Sequence, residues 1–214
     1  LTNQSRFGAI HYTLDGSEPT TASPRYLAPL HVSLPVTLRA NAFDGSRALA
    51  RAREFALDEA GLSTRDSGAL TLCSENIALL LEDDAPFRGE RAVFAVDIQN
   101  PCWRYENVDL SRGASLQATV GQLPFNFQIG AAKDAIRFPA PRGAHAELLI
   151  HRDACEGEPL ARIALDVAEG NDAVTTLPRV DLPPQAGRHD LCLRFAQPAL
   201  EPFWVVDSVR LERP

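Results

Sequence analysis

The 214-residue sequence has no methionine, only one lysine (Lys133), and no apolar run near the roughly 18 residues that a membrane-spanning helix needs. The longest run, Ile77-Ala78-Leu79-Leu80-Leu81, stops at the acidic triplet Glu82-Asp83-Asp84. The chain begins Leu1-Thr2-Asn3-Gln4, where a leader would show a basic start and then an apolar stretch. It therefore reads as a fragment whose initiator and targeting signal lie upstream. Concentrated positive charge is missing too. The net charge is -7, and the basic residues, all arginine except Lys133, are scattered. A phosphate backbone or an anionic bilayer needs a basic face, so no nucleic-acid and no membrane partner is expected. An acidic surface tolerates a neutral partner such as a glycan.

Catalytic signatures are also lacking. There is no nucleophile elbow, no phosphate-binding loop and no His-Glu-x-x-His zinc motif. The histidines His11, His31, His145, His151 and His189 stand too far apart in sequence to give a ligand pair on one strand or helix. The four cysteines, Cys73, Cys102, Cys155 and Cys192, contain no Cys-x-x-Cys pair, which leaves zinc and thioredoxin-like readings weak. An even set confined to one region favours two disulfides in an oxidising compartment, against four buried thiols. Four cysteines allow three connectivities, and the sequence does not choose among them.

What the sequence does contain is strand signal. Ile10 to Leu14 alternates apolar and polar residues and meets Asp15-Gly16; Val32 to Leu34 and Val36 to Phe43 alternate and end at Asp44-Gly45. Asp-Gly between alternating runs predicts a hairpin, because glycine accepts positive φ without steric cost. Ala48 to Leu57 has helix-forming composition, but its place after Asp44-Gly45 favours a returning strand. Residues 61–68 lack periodicity and read as a linker. Beyond them, short strands are expected over Leu70–Cys73, Ile77–Glu82, Ala92–Ile98, Trp103–Val108, Ser115–Val120, Glu147–His151, Ala161–Asp166, Val174–Leu177, His189–Phe195 and Trp204–Leu211. Many short strands with regular turns indicate an all-β sandwich or jelly roll.

Two groups of side chains invite a chemical reading. Trp103 and Tyr105 are two apart and share a strand face, and Trp204 lies near the last strand. Flat rings bind sugars, yet such residues also pack sheet cores. Glu82-Asp83-Asp84 is either a solvated strand end or part of a calcium site.

The run His11-Tyr12-Thr13-Leu14-Asp15-Gly16-Ser17-Glu18-Pro19-Thr20, with Ser23-Pro24-Arg25-Tyr26 and Phe43-Asp44-Gly45, resembles the small immunoglobulin-like or fibronectin-like module that follows the catalytic domain of chitobiases and β-N-acetylhexosaminidases. The resemblance covers about Gly8 to Leu57. Tyr105 to Leu110, Gly187 to Phe195 and Phe203 to Asp207 are similar to a family 6 carbohydrate-binding module, a jelly roll of the galactose-binding type. Asn100-Pro101-Cys102-Trp103 with Gly121 to Phe127 looks like the C-terminal region of bacterial family 20 hexosaminidase-like proteins. Together these imply an all-β chain. Residues 1–60 would be a small immunoglobulin/fibronectin-like sandwich, 61–68 a linker, and 69–214 a galactose-binding-like β-jelly roll.

The resemblance further implies non-catalytic accessory modules of a periplasmic or secreted hydrolase. Their partners would be the parent's catalytic domain and an N-acetylhexosamine-containing glycan, with Trp103, Tyr105 and Trp204 as sugar-contact candidates. No cofactor is required, and Glu82 and Asp207 match the family's structural calcium ligands. Departures exist: the Val174–Leu177 strand carries no tryptophan, and Val205 stands where an asparagine is usual. In the parent family, substrate-assisted hydrolysis uses an Asp–Glu pair in a barrel, and no residue here inherits those roles. The alternatives are an independent sugar-binding protein and a purely structural or adhesion pair.

Overall fold

The computed structural model describes residues 1, 7–83, 91–171 and 173–212, in two compact units, Leu1–Leu62 and Ser63–Pro214. Asp84, the last member of the acidic triplet, lies outside the described residues.

In the first unit β1 (Ala9–Thr13), β2 (Val36–Asp44), β3 (Arg47–Ala48) and β4 (Arg53–Leu57) form one antiparallel sheet. Of the small sandwich expected for residues 1–60, the described residues form this four-stranded sheet. The long central strand β2 carries β1 along one edge and β3 and β4 along the other. Asp44-Gly45 makes the predicted hairpin, with Asp44 opposite Arg47 and Gly45 at φ 54°. Asp15-Gly16 does not. There Asp15 Oδ1 accepts from the Ser17 backbone N–H and hydroxyl, and a long loop follows before β2 begins. That loop returns along β1, with Tyr12 N–H donating to Pro24 O and Tyr26 N–H to Ile10 O. Val32–Leu34 is not a strand: Pro35 has no N–H to donate, and ladder pairing begins only at Val36. Ala48 to Leu57 is extended, as its position predicted.

A short helix α1 (Glu59–Ser63) ends this stretch, with Asp58 Oδ1 accepting from the Gly61 N–H. Residues 61–68 are not a free linker. β5 (Thr64–Asp66) pairs with the last strand, and the buried Ser67 hydroxyl accepts from the Ala95 N–H. A three-residue polar strand at a sheet edge carries no periodicity that the sequence would reveal.

The second unit continues with β6 (Thr71–Leu72), β7 (Ala78–Glu82), β8 (Val93–Asp97), β9 (Cys102–Asp109), β10 (Ala114–Leu123), β11 (Glu147–Arg152) and β12 (Ala161–Ala164). It closes with β13 (Thr175–Thr176), β14 (Val180–Leu182), β15 (Arg188–Ala196) and β16 (Phe203–Glu212). One five-stranded sheet runs β13-β10-β16-β5, with β14 also on β10; the other runs β12-β11-β15-β9-β6. β7 and β8 form a separate pair. All ladders are antiparallel, as in a jelly-roll sandwich.

Alternation puts Trp103 and Tyr105 of β9, Leu148 and Ile150 of β11, and Leu191, Leu193 and Phe195 of β15 on the inner face of the second sheet, in one core with Leu116, Ala118 and Val120 of β10. Phe195 of one sheet contacts Trp204 of the other at 6.4 Å between ring centroids. Gly121 in β10 is required by this packing, because a Cβ there would lie 2.5 Å from Phe94 Cζ.

Candidate functional site

The three aromatic sugar-contact candidates lie inside the sandwich. Trp103 is fully buried, donates from Nε1 to Ala95 O at 2.7 Å, and meets Phe195 edge-on. Tyr105 is 7% exposed; its hydroxyl donates to Ser63 O at 3.2 Å, and the Arg65 guanidinium sits 4.1 Å over its ring. Trp204 is 2% exposed. Their assignment as sugar platforms is therefore corrected. Spacing placed Trp103 and Tyr105 on one face of β9, but that face is the core, and hydrophobic burial there outweighs exposure. Val205 is also fully buried.

Polar groups gather instead at one end of the second sheet, where β9 and β15 meet the turn after β11. Arg104 donates to Asp190 Oδ2, while Asp190 Oδ1 accepts from the Asn107 N–H at 2.9 Å. Asp153 Oδ1 accepts from the Asp190 N–H at 3.2 Å. Asp153 Oδ2 lies 2.9 Å from His189 Nδ1, and His189 Nε2 lies 3.0 Å from Ala186 O. Arg188 donates to the side chain and carbonyl of Asn107. The hydrogen bond with His189 leads in holding the Asp153 pKa below its ordinary value. Asn107 (φ 63°) and Asp153 (φ 61°) are the non-glycine residues with positive φ among those described. Both belong to residue types that tolerate this conformation. The sequence reading missed this cluster. Its one signal was His189-Asp190 at the start of a strand, and the partners come from β9 and from the turn after β11.

The calcium candidates take different partners. Glu82 accepts from Arg91 at 3.1 Å. Asp207 lies half-buried in β16, with the Ser208 hydroxyl at 3.0 Å. Burial pushes its pKa up, and the nearby Asp66 carboxylate adds to the rise against the lowering Ser208 bond. Asp66 is opposite Ser208 in the β5–β16 ladder and accepts from the Ala69 N–H at 2.8 Å. Glu82 thus has a guanidinium partner, whereas Asp207 has a second carboxylate, Asp66, acting on it.

The four cysteines converge. Cys73 is bonded to Cys102 and Cys155 to Cys192, across 29 and 37 residues of sequence. The four sulfurs lie within 4.8 Å of one another. Cys102 and Cys192 belong to the face of the second sheet away from Trp103 and Leu193, since their neighbours in β9 and β15 point into the core.

No curated protein sequence matches the chain. Among solved structures it is similar to a family 6 carbohydrate-binding module whose binding sub-sites were dissected by crystallography and calorimetry, at 17% identity and a TM-score of 0.44, covering 71% of this chain and 94% of that one. It is also similar to a family 6 carbohydrate-binding module from Clostridium cellulolyticum in complex with xylose, at 14% identity and a TM-score of 0.42, covering 71% of this chain and 97% of that one. A third is a family 43 glycoside hydrolase from Bacillus subtilis, an arabinoxylan arabinofuranohydrolase in complex with cellotetraose, at 11% identity and a TM-score of 0.46, covering 83% of this chain and 34% of that one. At the N-terminal end, residues 1–51 match the family model of the chitobiase/beta-hexosaminidase C-terminal domain.

Proposed function

We propose that the chain is a non-catalytic accessory region of a secreted or periplasmic β-N-acetylhexosaminidase-type glycoside hydrolase, supporting a catalytic domain carried elsewhere in the parent protein. The observation that carries this reading is the match of residues 1–51 to the chitobiase/beta-hexosaminidase C-terminal domain. The two disulfides favour an oxidising compartment. Any glycan contact would use the exposed polar end around Asn107, Asp153 and His189, because the rings of Trp103, Tyr105 and Trp204 are buried. A structural calcium ion would sit at Asp207 and Asp66.

The test is an assay of the parent protein, intact and with this region deleted, on an aryl N-acetylglucosaminide. The intact protein should hydrolyse it, the deletion should shorten its thermal half-life, and this chain alone should be inactive. A parent without N-acetylhexosaminidase activity, or turnover by this chain alone, sinks the proposal. Calorimetry with N-acetylhexosamine oligosaccharides tests the glycan contact, and Asp153→Ala should weaken any binding found.

A further inference from the structure

We propose that the four cysteines, once both disulfides are reduced, form a tetrathiolate site for a zinc-class ion on the outer face of the second sheet. The inference does not depend on the accessory reading above. It rests on how the sulfurs are arranged between the two bridges. Cys73 Sγ lies 3.5 Å from Cys155 Sγ and 3.9 Å from Cys192 Sγ; Cys102 Sγ lies 3.2 Å from Cys155 Sγ and 3.1 Å from Cys192 Sγ. Two separate structural disulfides have no need to touch. Four thiolates around one zinc ion, with Zn–S near 2.3 Å, stand about 3.8 Å apart along each edge of the tetrahedron. The four cross distances already approach that edge. Opening the two bridged edges by side-chain rotation would complete the figure.

The backbone holds the ligands from separate elements. Cys73 follows β6, with its N–H donating to Cys102 O at 3.2 Å. Cys102 begins β9, Cys192 lies within β15, and Cys155 sits in the turn after β11. No Cys-x-x-Cys pair exists, so the site depends on tertiary structure alone.

Arg194 suits an anionic complex: it is opposite Cys102 in the ladder, whereas Arg104, opposite Cys192, is already paired with Asp190. The Arg194 Nη1 donates to Cys155 O at 2.9 Å, which brings its positive charge to the cluster. His151 is opposite Cys192 on the other side, in β11. It is 3% exposed, and neither ring nitrogen has a hydrogen bond of normal geometry; the Glu156 backbone acts on it only outside that geometry. His151 is thereby the buried cross-strand neighbour of Cys192, the place in which an outer-shell group would stand.

The chemistry balances with a dithiol or phosphine as reductant. Each disulfide accepts two electrons and two protons, its S–S bond breaks, and two thiols form. The dithiol closes to its own disulfide, or the phosphine takes oxygen from water. Zinc then displaces four thiol protons to solvent and makes four Zn–S bonds, leaving a complex with two net negative charges.

The test reduces the intact chain with a phosphine under anaerobic, non-denaturing conditions and titrates cobalt(II) as the spectroscopic stand-in for zinc. The expected result is one ion per chain, with thiolate-to-cobalt charge-transfer and tetrahedral d–d bands, displaced by zinc. The oxidised chain should give neither band. Zinc should protect all four thiols from alkylation and raise the melting temperature of the reduced chain. Cys155→Ser should diminish the charge-transfer band, and His151→Ala should weaken zinc binding about tenfold. The inference is overturned if the reduced, folded chain gives no charge-transfer band, or if Cys155→Ser leaves the band unchanged. Unfolding on reduction that zinc does not reverse overturns it equally.

Discussion

In Leu1–Leu62 the buried side chains among the described residues are few: Leu38, Asn41 and Phe43 from β2, with Pro19 from the loop. In Ser63–Pro214 a continuous core runs from Leu70 to Leu211, and Phe94, Trp103, Phe195 and Phe203 have no exposed surface. The first unit leans on its loop chemistry. Thr13 donates to Ser17 O, Ser17 donates to Asp15, and the Thr20 N–H donates to Ser23 Oγ. The second leans on packing between two sheets. That difference explains why the first unit is identifiable from one short motif. Turn chemistry is written in consecutive residues, whereas a sandwich core is assembled from residues far apart in the chain.

The strongest way to break this comparison is Trp103→Ala. Emptying a fully buried indole site should cost about 3–5 kcal/mol, because the surrounding side chains relax only partly into the cavity. Both tryptophans lie in the second unit, so the fluorescence of the remaining Trp204 follows that unit alone. Denaturant unfolding should show its midpoint falling sharply. An unchanged midpoint with altered glycan binding would return Trp103 to a surface, sugar-contacting role.

Asp97→Ala comes next. The Asp97 carboxylate is fully buried and accepts from the Ser74 hydroxyl and from the N–H groups of Asn76, Ile77 and Gln99. Burial alone would raise its pKa, but these four donors outweigh it and hold the value below the ordinary 3.8. Removing the carboxylate leaves buried donors unpaired, at a cost of about 3 kcal/mol. A lowered folded pKa means that this stabilisation is complete above pH 3.8 and is lost as pH falls through the folded value. The wild type and Asp97→Ala should therefore converge in stability under strong acid, measured by urea denaturation across pH.

For the first unit the informative change is Gly16→Ala. Gly16 has φ 77°, and a Cβ there would stand 3.1 Å from Thr37 Cγ2. The left-handed backbone should cost about 1–2 kcal/mol. Circular dichroism melting should show the loss in a transition that Trp204 fluorescence does not follow. A loss that appears in the fluorescence transition as well would mean that the two units unfold together.

The sequence was informative to different depths in the two units. Strand positions in the second unit were legible because β9, β10, β15 and β16 are long and apolar on alternate residues. β5 and β14 escaped notice because three-residue strands have no period to read. In the first unit both Asp-Gly pairs carried the same hairpin signal, yet only Asp44-Gly45 closes one. At Asp15-Gly16 the competing bonds from Ser17 to the Asp15 side chain turn the chain into a loop instead. Sidedness was the chief limit at the candidate site. Periodicity shows that Trp103 and Tyr105 share a face, but only the partner sheet decides whether that face is core or surface. Convergence was the other limit: Asp153 and His189 are far apart in sequence, as are the four cysteines.

Asp207→Asn should have the smallest effect, and its sign separates two accounts of this residue in β16. The raised Asp207 pKa means that the folded chain disfavours the ionised form, chiefly through burial. The resulting penalty is absent below the ordinary value of 3.8 and complete once pH exceeds the folded value. In a chelator-treated buffer near neutral pH, Asp207→Asn should therefore raise the melting temperature slightly, and near pH 3 it should change little. Calcium should reverse the order if Asp207 and Asp66 hold the ion, raising the melting temperature of the wild type but not of the variant. Equal response of both proteins to calcium would remove Asp207 from any cation site. A variant less stable than wild type without metal would mean that the ionised carboxylate is already well satisfied by the protein, leaving no electrostatic reason for a cation beside Asp207.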